Sequence, residues 1–312
     1  MASAPLAPRL SIYDAVAANR WRTVVLIGVF TALVAAIAYA AGEVMAPGSG
    51  VAALPFGLGV SAVSATGSYL AGDKIVLGMS KARELGEAEE PQLRNVVEAL
   101  AIGLGTPMPK LYLIDDTAPN AFATGRDPKH ASIAVTRGLL DKLDRTELEG
   151  VMAHEMSHIV NRDIRTMLFA AVLAGTVVLF ADVLLRWLRF GGARRGRRDR
   201  DGGGGGAAAL LLVVALVLAI VGPIVARLIT LAVSREREYL ADASGALLTR
   251  YPPGLASALR KIAADPEPLE VANKATAPLY IWNPLKDRPA FLDGLFDTHP
   301  PAAERIRRLE AM

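Results

Sequence analysis

Two of the four histidines of this chain stand four residues apart, in His154-Glu155-Met156-Ser157-His158. The flanking residues predict a helix: Leu148, Val151, Met152 and Ile159 recur at helical spacing, with Thr146 as a capping residue and Glu149 three positions on. Residues four apart lie one above the other on a helix, so the two imidazoles converge on one point. A neutral imidazole is a good zinc ligand, and a glutamate beside the first histidine can reach a metal-bound water. Two histidines leave a tetrahedral zinc one protein ligand short, with its fourth position for water. The chain has no cysteine, which excludes disulfides and thiolate ligands, so any further ligand is His, Asp or Glu. Glu238 and Asp242 are candidates, four apart on a helix predicted over 234–248. One of them can bind the metal while the other steadies a ligand imidazole. His130, in a polar turn, reads as exposed.

The elements that must position these residues alternate between membrane and water. The 312 residues are 52% hydrophobic and 21% charged, with the charges clustered, and the mean hydropathy is +0.33. Thr23–Gly42 is uncharged and long enough to cross a hydrocarbon layer of about 30 Å. It is too long and begins too late for a signal peptide, so it reads as an uncleaved anchor. A turn at 46–50 precedes a second uncharged run, Val51–Gly72, whose Pro55, Gly57, Gly59 and Gly67 suit a close-packed membrane helix. Basic residues precede the first run (Arg9, Arg20, Arg22) and follow the second (Lys74, Lys81, Arg83), with none between. Both flanks are therefore expected in the cytoplasm.

Residues 74–165 read as soluble α+β: a helix over Pro91–Gly105, strands at Lys110–Ile114 and Ser132–Thr136, and an edge strand within Pro119–Gly125. Gly138-Leu139-Leu140 leads into the histidine helix, which shows no stop signal before the apolar run Thr166–Leu185. Asp182 lies late in that run, beside Arg186, and reads as half of an interfacial ion pair. Seven arginines follow between Arg186 and Arg200, then Gly202–Gly206 and a fourth apolar run, Ala207–Ala226, kinked at Gly222-Pro223. If both runs span, the arginines lie outside the cell, against the positive-inside bias; two spans is the reading adopted. Either way the crossings are even, and 234–312 returns to the side of 74–165. A second C-terminal helix is expected at Pro253–Ala264, an irregular region over 265–298, and a last helix from His299-Pro300-Pro301 through Leu309. The net charge of +3 and the lack of interleaved aromatic and basic residues give no case for nucleic acid.

In combination these motifs resemble the HtpX membrane metalloproteases, relatives of the CAAX prenyl proteases. The likeness is carried by His154-Glu-Met-Ser-His158 with Asn161-Arg162-Asp163, Glu238-x-x-x-Asp242-Ala-Ser-Gly-Ala, Pro119-Asn-Ala-Phe-Ala-Thr-Gly125, and Thr298-His299-Pro300-Pro301 with Arg305. It extends over nearly the whole chain; the arginine/glycine linker at 186–206 departs from it. The resemblance implies an α+β, mostly α-helical protein with a zincin-like catalytic domain and about four apolar segments. The expected order is a cytoplasmic segment 1–22, two transmembrane helices within 23–72, a first peptidase part 74–165, a hydrophobic hairpin 166–233 and a second peptidase part 234–312. It implies one zinc per chain on His154, His158 and Glu238, Glu155 as general base, and Asp242 behind a ligand histidine. It further implies His299 and Arg305 at the oxyanion, and Asn120, Ala121, Phe122 and Ala123 as a substrate-binding strand. The expected activity is a multi-pass inner-membrane zinc endopeptidase of a bacterial cell, facing the cytoplasm and cutting unfolded or membrane proteins in quality control. Nothing in the sequence sets an oligomeric state. A prenyl-protein protease is the alternative within enzymes, and the few apolar segments argue against its enclosed chamber. A silent membrane scaffold with structural zinc is the other alternative, and the intact Glu155 argues against it.

Overall fold

The computed structural model describes residues 12–173, 175–176, 235–272, 276–284 and 300–312. The arginine/glycine linker, the fourth apolar run, Asp182 and His299 lie outside them. Two long helices open the chain: α1 (Ile12–Met45) and α2 (Gly50–Met79). Each outruns the uncharged stretch predicted for it, because Arg20 and Arg22 at one end and Asp73 and Lys74 at the other continue the helix past the apolar part. The turn between them is held by Glu43, whose carboxylate accepts from Gly48 N at 2.8 Å and Gly50 N at 3.0 Å. Ala17–Glu43 and Gly50–Met79 are long and apolar enough to cross a membrane. Trp21, Val24, Phe56 and Val63 stand exposed on them, as residues facing lipid do. The expectation was about four such segments; two are found among the described residues.

A four-stranded sheet follows, in the order β1 (Arg83–Glu84), β2 (Lys110–Ile114), β4 (Ala131–Thr136), β3 (Ala121–Gly125). β2 and β4 are parallel, β3 runs antiparallel to β4, and β3 is an edge. The strands read as nearly continuous apolar runs because both faces are covered. Leu111, Leu113, Ala123, Ile133 and Val135 meet the core formed with Val151, Met152 and Met156 of the histidine helix. Ile114, Phe122 and Ala134 face Met167, Leu168, Leu279 and Tyr280 on the other side. Gly125 ends β3 at φ +137°, and a Cβ there would meet His130 O at 2.2 Å, so only glycine closes the turn into β4.

The histidine helix is Arg145–Val160, and both of its predicted ends need correction. Its cap is Asp144, not Thr146: the Asp144 carboxylate accepts from Thr146 N and Glu147 N, and Glu147 returns the bond to Asp144 N. Glu147 is then held by Ser257 Oγ and Lys261 Nζ, both at 2.6 Å. That cross-link to the helix Pro252–Ala264 explains why the box sits two residues earlier than its local pattern suggested. The helix also stops. Arg162 adopts φ +59° after the cap Asn161, and a new helix begins at 163 and runs through 173. The other α-helices of the described residues are Pro91–Leu104, Arg137–Lys142, Arg235–Thr249 and Ala302–Glu310.

Candidate metal centre

His154, Glu155 and His158 are buried in the second half of their helix, His158 in its last turn. The helix Arg235–Thr249 crosses over them where Gly245 leaves room: a Cβ there would stand 3.0 Å from His154 N and 3.2 Å from Ala153 C. Glu238, Asp242 and Gly245 fall at i, i+4 and i+7, so this close crossing delivers both carboxylates to the histidines. The Nε2 atoms of His154 and His158 lie 3.2 Å apart. Glu238 Oε1 is 3.5 Å from His158 Nε2, and its Oε2 is 3.7 Å from His154 Nε2. A tetrahedral zinc with bonds of about 2.0–2.2 Å holds its ligand atoms roughly 3.3–3.6 Å apart, so this donor set fits one. Charge agrees. Four buried carboxylates (Glu155, Asp163, Glu238, Asp242) face two buried guanidiniums (Arg237, Arg305), and a divalent cation balances the excess.

Each imidazole is fixed from behind. His154 Nδ1 lies 2.9 Å from Asp242 Oδ1, and His158 Nδ1 lies 3.1 Å from Asp163 Oδ2. A proton on each Nδ1 leaves both Nε2 lone pairs aimed at the shared point. Asp163, which belongs to the resembling motif but was given no role from sequence, is thus the counterpart of Asp242. Arg305 is wholly buried; its Nε and Nη2 donate to the two Asp242 oxygens at 2.8 and 2.7 Å, and its Nη1 donates to Ile281 O at 3.0 Å.

The predicted substrate strand lies alongside. Asn120 and the first residues of β3 are buried, and the Ala123 amide hydrogen-bonds to Glu155. Ile281 N donates to Ala121 O at 2.9 Å, and Asn120 Nδ2 donates to Trp282 O at 3.0 Å, so residues 281–282 occupy the start of the edge. This contact falls within 265–298, a stretch expected to be irregular; its one sequence signal is the apolar Tyr280-Ile281-Trp282 triplet. The structure brings together His154, His158, Glu155, Glu238, Asp242, Arg305 and Asn120–Ala123, and His299 lies outside the described residues.

The titrations follow from these contacts. Burial pushes the Glu155 carboxyl up to about 7, with the charge of Glu238 adding to it against His158 and the Ala123 amide. Burial lowers His154, against the hydrogen bond and charge of Asp242. Burial opposes charge on His158 too, but the hydrogen bond to Asp163 and the charge of Glu238 outweigh it and raise that imidazole to about 9. A metal ligand must be deprotonated, so loading the apoprotein at neutral pH is expected to release about one proton per chain. The affinity then climbs about tenfold per pH unit and levels off near pH 9. Zinc titration calorimetry in buffers of different ionisation enthalpy reads the proton count, and a count of zero at neutral pH would contradict it.

Comparison with known proteins agrees with this geometry. The profile described as Peptidase family M48 matches residues 87–312. The chain is 47% identical to the "Protease HtpX homolog" of Dictyoglomus thermophilum, over 97% of this chain and 95% of that one. It is 44% identical to the "Protease HtpX homolog" of Tropheryma whipplei, over 96% and 98%. Among solved structures, the crystal structure of S. mikatae Ste24p aligns with a TM-score of 0.50 at 20% identity, a likeness of fold. The alignment covers 88% of this chain and 62% of that protein, so the chain spans about three fifths of its length.

Proposed function

Because this chain belongs to peptidase family M48 and is a membrane metalloprotease, we propose that it is a zinc endopeptidase working at the cytoplasmic surface of a bacterial inner membrane. The observation that carries the reading is the convergence of His154 Nε2, His158 Nε2 and a Glu238 oxygen within 4.8 Å, each imidazole backed by its own carboxylate. These three residues hold one zinc per chain. When bound there, zinc supplies a Lewis acid for the scissile carbonyl and a water whose pKa falls to about 7.

The chain's own residues do the rest. Glu155 takes the proton of the attacking water and hands it to the leaving amine; burial brings its pKa near neutrality, where a general base is most useful. Asp242 and Asp163 hold His154 and His158 in the tautomers that bind. Arg305 acts through Asp242, keeping that carboxylate ionised and in place. β3 receives the substrate as an added strand. Among the described residues its outer edge presents Ala121, Ala123 and Gly125, and since Ile281 takes the Ala121 carbonyl, the extended peptide joins from the Ala123 carbonyl onward, beside Glu155. Strand addition reads main chain rather than sequence, which suits unfolded or membrane-extracted polypeptides and a part in membrane-protein quality control. The basic residues beyond the two apolar runs, before the first and after the second, support the cytoplasmic orientation.

Metal removal tests this reading. Detergent-solubilised protein stripped by a chelator is expected to stop degrading an unfolded protein, and to recover with about one equivalent of zinc per chain. Undiminished cleavage by the stripped protein would overturn it.

A further inference from the structure

We propose that Asn19, on the membrane helix α1, is a positioning residue for the metal centre: it holds Asp163 and, through it, His158. The inference rests on His158 being a metal ligand, as set out above. Asn19 is 3% exposed, inside a helix otherwise suited to lipid. A buried amide costs stability unless it is bonded, and both N–H groups of this one are used at a single place. Nδ2 donates to Asp163 Oδ1 at 2.6 Å and to Asn161 O at 3.1 Å. Asn161 caps the histidine helix, so its carbonyl is among those a helix end leaves without an intrahelical partner. Asp163 divides its carboxylate between two tasks. Oδ2 takes His158 Nδ1, while Oδ1 takes Asn19, with Arg237 Nη1 at 3.5 Å.

The geometry therefore runs from α1 to the centre in three links: Asn19 to Asp163, Asp163 to the ring of His158, and His158 Nε2 to the shared ligand point. Without the amide, Asp163 loses its shortest contact and can rotate about its own side chain. His158 then loses the partner that sets its ring angle and tautomer. The anchoring helix is thereby part of the metal site, and the catalytic part cut away from α1 would bind metal more weakly. One turn along, Thr23 Oγ1 and Thr166 Oγ1 lie 3.1 Å apart. That pair joins the same two helices through the Asn19 backbone carbonyl, without touching the Asn19 amide group or Asp163, and provides the control.

The test uses full-length protein in detergent, with zinc affinity measured by competition against a chromophoric chelator and apoprotein unfolding followed by tryptophan fluorescence. Asn19→Ala removes the amide; Asn19→Leu keeps nearly its size and branching and loses the donor, and decides the matter if the first variant does not fold. Both are expected to bind zinc about tenfold more weakly, with cleavage restored by excess zinc. Thr23→Val loosens the same helix pair and is expected to keep wild-type zinc affinity. Wild-type affinity in the Asn19 variants, or an equal loss in Thr23→Val, would overturn the proposal. A wild type that takes up no zinc would overturn the ligand reading beneath it as well, so the two failures are distinct.

Discussion

Replacing Glu155 by Gln is expected to lower the rate of peptide hydrolysis by a factor on the order of 10²–10⁴, with zinc still bound. The side chain is not among the three that converge as ligands, and it stands beside them, 2% exposed, with its carboxylate on the Ala123 amide. Glutamine fills the same volume and can accept from the same amide, so packing and metal affinity persist. What it cannot do is carry a proton from water to the leaving nitrogen. Initial rates on an unfolded protein substrate at saturating zinc measure the loss. A fall of less than tenfold would mean that another group takes the proton.

The second large effect is structural. Arg305→Leu is expected to cost about 3–5 kcal/mol of stability at neutral pH, because it leaves Asp242 and Glu238 buried without their compensating charge. Burial raises the Asp242 carboxyl, but the charge and hydrogen bonds of Arg305, then those of His154, more than offset it and hold it at about 2. A carboxyl depressed below its ordinary 3.8 contributes stability above that value and loses it as pH falls through about 2. The advantage of wild type over the variant is therefore full at neutral pH and shrinks in the acid range as Asp242 is protonated. Urea unfolding of both proteins across that range checks the sign; a constant difference would contradict it.

How far the sequence carried depended on whether a contact is local. The His154/His158 spacing puts two imidazoles on one helix face, and the four-residue step from Glu238 to Asp242 puts two carboxylates on one face of the crossing helix. β2 and β4 were read within one residue of their bounds, since runs such as Lys110–Ile114 carry their own strand preference. Contacts set by tertiary packing were not legible. Thr146 looks as good a cap as Asp144 until Lys261 and Ser257 are brought to Glu147. The break at Asn161-Arg162 has no glycine or proline to announce it; Arg162 takes a left-handed conformation that charged residues seldom adopt. Asn19 gave no signal, because its partners lie 142 and 144 residues away. The resemblance places Arg305 near the oxyanion; the engagement of its fork by Asp242 and the Ile281 carbonyl is a tertiary contact that no spacing encodes.

The central claim is that one zinc on His154, His158 and Glu238, with Glu155 as base, makes this chain cut polypeptides. It is tested most directly by measuring zinc content and cleavage on the same preparations: stripped wild type, zinc-reloaded wild type and zinc-reloaded Glu155→Gln. The account predicts about one zinc per chain in both reloaded proteins and cleavage in the reloaded wild type alone. Cleavage by the stripped protein, or wild-type cleavage by zinc-loaded Glu155→Gln, would contradict it.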